Sequence, residues 1–142
     1  DWSWVYAQRL YHDGALVAAS GKGGGLYNLI SDAGIINSIF WGNRADSGHE
    51  VFNGQGATSF TWSDVPDNTS ALTAINGGVI TTDTNCIESD PFFVGSGSGN
   101  YHLKSISPAI DRGTAADAPD HDIDGDARPL GGGFDIGSDE RG

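Results

Sequence analysis

The chain has 142 residues, with 7 basic against 19 acidic side chains and a formal net charge of −12. That balance speaks against nucleic acid and anionic membrane surfaces as partners, since both need clustered Lys and Arg. No apolar run approaches the length of a membrane span, so no membrane insertion is expected, and the single Cys86 rules out an internal disulfide framework.

The 22 glycines follow no collagen period and read as many tight turns between short strands. The absence of Met and the start at Asp1 suggest a processed or excised form. Cys86 reads as a small buried hydrophobe. Nine of the nineteen acids fall between Asp111 and Glu140, so the acidity is local. Together these features suggest a single extracellular all-β domain, able to attract divalent cations.

In chain order, Trp2, Trp4 and Tyr6 alternate as on one face of a strand, and Leu10 to Ala19 offers a second strand. After the Gly21–Gly25 stretch come Leu26-Tyr27-Asn28, then Ile35 to Asn43, then Glu50-Val51-Phe52-Asn53 and Thr58 to Val65. Each is a short apolar strand punctuated by Asn or Gly. Asn tolerates the left-handed backbone region and can bond to its equivalent one layer away. This pattern suits a solenoid in which each coil stacks on the next. A β-sandwich of hairpins competes with it, because Asn53-Gly54 and Asn76-Gly77 are hairpin-type turns.

Residues 66–86 are polar, with only Leu72, Ile75, Val79 and Ile80 as anchors, and read as an excursion from the scaffold. Asp90 to Val94 and Asn100 to Leu103 are two more strand candidates around the flexible Gly95–Gly99 turn. The last stretch alternates Asp, Gly and Pro with the isolated anchors Ile110, Ile123 and Ile136. It cannot be a helix, because too many of its residues favour turns.

Several blocks, taken in order, carry a resemblance. They are Gly23 to Asn28, Asn37 to Asn43, Ser89 to Val94, Gly99 to Leu103, Ser107 to Asp111, Asp122-Ile123-Asp124-Gly125 with Arg128-Pro129, and Asp135-Ile136-Gly137 with Glu140. This series resembles the C-terminal region of bacterial right-handed parallel β-helix surface proteins, of the type labelled choice-of-anchor Q domains. The resemblance spans roughly residues 21–140. It implies a large exported parent class of mostly unknown activity, and here a short right-handed parallel β-helix. The expected layout is an association segment in 1–20, coils in 21–65, the excursion in 66–86, and final coils with a loop-rich Asp/Gly cap in 87–142. This chain has fewer coils than a usual member, residues 1–20 do not resemble a standard coil, and the usual anchoring tail beyond Glu140 is missing.

Asp120, Asp122, Asp124 and Asp126, with Gly125 for the sharp turn, reproduce the first half of a calcium loop and make Ca2+ the expected cofactor. Its twelfth position is Gly131 where an EF-hand has a bidentate Glu, which excludes a complete EF-hand. Asp135, Asp139 or Glu140 are available to complete a cation site. The competing reading has these carboxylates capping turns and pairing with Arg128 or Arg112. His12, His49, His102 and His121 share no metal-ligand or triad spacing, and no nucleophile elbow exists. Asp46, Glu50 and Asp64 would have to meet on adjacent coils to act as a glycosidase pair. No catalytic residue is assigned.

Trp2, Trp4, Tyr6, Trp41, Trp62 and Tyr101 either stack on sugars or fill the core and shield a coil end. Trp2, Trp4 and Tyr6 are the expected association residues, because aromatics at a chain end call for a partner. The expected function is a non-enzymatic structural or surface module, located outside the cell or on its surface. It would stack through an open β-helix end with itself or a neighbouring domain, in the limit as a filament subunit. A carbohydrate-binding or polysaccharide-degrading module, and a C-terminal fragment of a larger surface protein, are the alternatives.

Overall fold

A computed structural model of the chain describes residues 21–142 together with the backbone of Ser3–Trp4. Trp2 and Tyr6 of the expected association segment, and the strand expected over Leu10 to Ala19, lie outside the described residues. The described strands are β1 (Ser3–Trp4), β2 (Leu26–Asn28), β3 (Ala33–Ile36), β4 (Val51–Asn53), β5 (Ala57–Thr61), β6 (Leu72–Ala74), β7 (Val79–Thr82), β8 (Phe93–Gly95) and β9 (Asn100–Leu103). The protein is all-β. No helix among the described residues is long and apolar enough to cross a membrane.

Two sheets are parallel, one ordered β1-β3-β5-β7 and the other β2-β4-β6, while β8 and β9 form an antiparallel pair. A third line of parallel contact runs from Ile39 to Asp64 to Ile87, and Lys22 pairs in the same sense with Ser47. Leu26 faces Val51, Val51 faces Leu72, and Ile35 faces Phe60. Equivalent positions therefore fall above one another, and apolar residues recur in columns.

Those columns make the main core of Ile35, Phe40, Val51, Phe60 and Val65, with Leu26, Leu72, Ile80 and Cys86 packed against it. Cys86 takes the packing role expected of it, and burial raises its thiol pKa. Phe40 meets Phe60 edge-on at 5.3 Å between ring centroids. Burying each of these side chains is worth about 1.5–3 kcal/mol, which is why three- to five-residue strands can hold together at all. A second cluster joins Ile39 to Leu103, Ala109 and Ile136, with Trp41, Ile87, Phe93 and Ile110 around it. Trp41 is thus half-buried packing against the core.

Residues 66–86, expected to leave the scaffold, instead supply β6 and β7, the last strands of the two parallel sheets. Their polarity misled because these strands lie at an edge, where Val79 is 51 % exposed and Ile75 37 %. The turn Asn76-Gly77 has positive φ at both residues, and Gly78 donates to the Ile75 carbonyl at 2.8 Å. It does not build a hairpin, since β6 and β7 belong to different sheets, as do β4 and β5 around Asn53-Gly54.

The asparagines act differently from expectation. Asn28 and Asn53 are in register, but each amide closes its own corner and reaches the next level. Asn28 Nδ2 donates to the Ser31 carbonyl (2.8 Å) and to Thr58 Oγ1 (3.0 Å). Asn53 Nδ2 donates to the carbonyls of Gly56 (3.0 Å) and Val79 (2.9 Å). Positive φ falls at Asn37 and Asn76 instead. Asn53 is fully buried, so Asn53→Ala strands carbonyls away from water. Urea denaturation should record a loss of about 1–3 kcal/mol.

The C-terminal stretch runs along the side of these levels. Asn37 Nδ2 donates to the Thr114 carbonyl at 2.7 Å, Thr114 N–H donates to Asn37 Oδ1 at 2.9 Å, and Gly137 N–H donates to the Asn37 carbonyl. Gly113 is needed in this seam because a Cβ there would lie 2.6 Å from the Asp135 carbonyl oxygen.

Candidate functional site

The acidic C-terminal stretch is folded mainly by its own carboxylates. Asp122 Oδ1 accepts the N–H groups of Asp124 and Asp126, both at 2.9 Å, and Asp122 Oδ2 accepts Glu140 N–H at 3.1 Å. These backbone bonds hold the Asp122 carboxyl below its ordinary pKa despite partial burial. Asp120 is exposed and pairs with the neighbouring His121, which lowers its pKa. Asp126 is exposed. Of the four expected calcium ligands, Asp122 thus organises the turn, and among the described residues no cluster of three candidate ligand side chains includes Asp120, Asp122 or Asp126.

A second network fixes the end of the chain. Arg128 Nε donates to Glu140 Oε1 at 2.7 Å and Nη2 to the Asp135 carbonyl at 2.9 Å, with both ionic side chains buried. Glu140 also accepts the N–H groups of Leu130 and Asp135. Asp135 accepts Asp111 N–H on one oxygen and Arg141 N–H on the other. Burial, partly offset by these bonds, pushes the Asp135 carboxyl up to about 6. The turn-capping and Arg128-pairing roles foreseen for these acids are present, whereas Arg112 is exposed.

Among the described residues, one group of three His, Cys, Asp or Glu side chains brings its ligand atoms within 4.8 Å of one another: His102, Asp124 and Asp139. Strand β9 places His102, whose Nε2 lies 2.7 Å from Asp124 Oδ2 and whose Nδ1 lies 2.6 Å from Asn100 Oδ1. The hydrogen bond with Asp124 is the main cause that raises the His102 pKa. Asp139 is buried and accepts Leu103 N–H at 2.7 Å. Burial raises its pKa as well. The donor set is one imidazole and two carboxylates, which suits a divalent ion of borderline hardness.

Asp124 was among the expected metal residues and Asp139 among those available to complete a cation site; His102 was not. Their separation in sequence, 22 residues from His102 to Asp124, carries no local spacing signal. The one available hint was the alternation of Asn100 and His102 on a strand, which sets both on one face.

The acids considered for catalysis have separate hydrogen-bonding roles, although the Glu50 charge acts on Asp64. Asp46 is exposed, while buried Glu50 accepts the backbone N–H and side-chain amide of Asn43. Asp64 is fully buried in the line between Ile39 and Ile87, accepts Ser89 N–H at 3.1 Å, and has no partner for its Oδ2. Compared with family models, curated proteins and solved structures, the chain matches none.

Proposed function

We propose that this chain is a non-enzymatic extracellular structural module, a short right-handed parallel β-helix that stacks through its open edge onto a second copy. The observation that carries the reading is the pair of parallel sheets that end on β6 and β7, with no strand beyond either among the described residues. The step of 25 residues from Leu26 to Val51, repeated from Ile39 to Asp64, supports successive coils of one helix. Parallel crossovers of this kind adopt the right-handed sense almost without exception. After β7 the chain turns into the antiparallel β8–β9 pair, so the open edge is set inside the chain.

That edge is competent for pairing. Val79 and Asp83 donate their N–H groups inward, to the carbonyls of Gly56 and Phe60. Alternation therefore turns the N–H groups of Ile80 and Thr82 outward. An unpaired row of this kind templates another strand. Stacking that repeats head to tail gives a filament, and the backbone of Ser3–Trp4 stands at the opposite end of its sheet from β7.

Sedimentation velocity over a concentration series should show reversible association, with rods visible by electron microscopy. Association should strengthen as salt rises beyond about 0.15 M, where the screening length is about 8 Å, because both copies are strongly anionic. Thr82→Pro removes one outward donor at an edge position that tolerates proline, and should leave a folded monomer. A wild-type chain that stays monomeric at all concentrations overturns the reading.

A further inference from the structure

We propose that His102, Asp124 and Asp139 form a binding site for a divalent transition-metal ion of the zinc type. The three ligand atoms lie within 4.8 Å of one another, and the hydrogen bonds of the imidazole leave Nε2 as the nitrogen that faces the other two. Asn100 Oδ1 accepts the backbone N–H of His102 at 3.2 Å, which identifies that atom as the oxygen. It also lies 2.6 Å from His102 Nδ1, so Nδ1 must carry the ring proton. In the neutral ring Nε2 is then an unshared pair, and it faces the Asp124 carboxylate at 2.7 Å. Two acceptors at that distance need a cation between them, which is a proton on Nε2 when the ring is charged and can equally be a metal ion, since Asp139 brings a third ligand atom to the same place.

A metal ion fits in the proton's place. Bonds of about 2.0–2.2 Å to Nε2 and to a carboxylate oxygen, at a tetrahedral angle, need the two atoms only about 0.6 Å further apart. Asp124 is on an exposed loop and His102 is half-exposed, so both can move that far. Asp139 supplies a third ligand atom, already within 4.8 Å of the other two and carried by a side chain only 5 % exposed. The Nδ1–H bond to Asn100 is the outer-shell contact that fixes ring orientation in metal-binding histidines. Calcium suits the set poorly, since it requires six to eight oxygens. Three protein ligands leave one position for water, and the ion would tie β9, the Asp120–Asp126 loop and the C-terminal stretch together.

The test is titration of the chelator-treated full chain with Zn2+ and Co2+, followed by calorimetry, cobalt absorption and melting temperature. One equivalent should bind, Co2+ should give the strong visible band of a four-coordinate ion, and Zn2+ should raise Tm by about 5 °C or more at saturation. His102→Ala and Asp124→Asn, both at accessible side chains and checked for folding by circular dichroism, should abolish the band. Asn100→Ala should weaken binding about tenfold, and Asp126→Asn should leave it unchanged. Absence of binding to the wild-type chain, or binding that survives His102→Ala, overturns the proposal. So does a Ca2+ site that is lost in Asp126→Asn and kept in His102→Ala.

Discussion

Arg128→Ala is expected to lower stability by about 3–5 kcal/mol, the usual result of leaving one member of a buried ion pair unpaired. The guanidinium has two jobs, neutralising Glu140 and capping the Asp135 carbonyl, and its side chain is 3 % exposed. Without it, Glu140 keeps only the N–H groups of Leu130 and Asp135 around a buried charge. Adding Glu140→Gln to Arg128→Ala removes that charge and should restore part of the loss. A double-mutant cycle in urea then separates the pair from the contact of the guanidinium with the Phe134 ring. Arg112→Ala, at an exposed position, is the control and should change stability by less than about 0.5 kcal/mol. Equal effects at Arg112 and Arg128 would contradict this account.

The second large effect is a fall in stability between about pH 4 and pH 7, set by Asp64. Burial is the largest cause raising its carboxyl from 3.8 to about 7, with the charges of Asp90, Glu88 and Glu50 adding to it and the Ser89 N–H opposing. A folded-state pKa above the unfolded one means that folding favours the protonated acid. That stabilisation is complete below pH 4 and is lost as pH rises through about 7. The difference corresponds to roughly 4 kcal/mol. Asp135, raised to about 6, and His102 and Asp139, both raised, act in the same direction. Asp83 and Asp122, both lowered, oppose them only in the acid range. Asp64→Asn keeps the shape and removes the charge, so it should flatten most of the slope and gain stability at pH 8. Thermal melts of both proteins from pH 4 to 8 read this directly. A wild-type chain more stable at pH 8 than at pH 5 would contradict it.

The all-β class and most of the middle strands were legible because their cause is local. Val51 and Phe52 next to Asn53, and Phe60 between Thr58 and Ser63, show strand alternation and a corner within a few residues. The last strands of the two parallel sheets were missed for a physical reason. Strands β6 and β7 are covered on one side only, so Thr73, Thr81 and Thr82 suffice where an interior level needs Phe or Ile. The role of Asp122 was partly legible, since Asp-x-Asp-Gly turns attract carboxylate caps whether or not an ion is present. The convergence of His102, Asp124 and Asp139 was not legible, because it depends on how the C-terminal stretch lies against β9.

The seam between Asn37 and Thr114 also constrains the order in which this chain can fold. Its two bonds close 77 residues, whereas neighbouring strands of the parallel sheets are joined by pairings of about 30 residues or fewer, as from Ser3 to Ala33, Leu26 to Val51 or Val51 to Leu72. Loop-closure entropy is smaller for the short steps, so the levels can assemble one upon another before the tail arrives. The tail can only recognise a surface that Asn37, Ile39 and Ile87 have already formed. Its docking should therefore be the last and slowest event, and the acidic C-terminus the first part to open under stress.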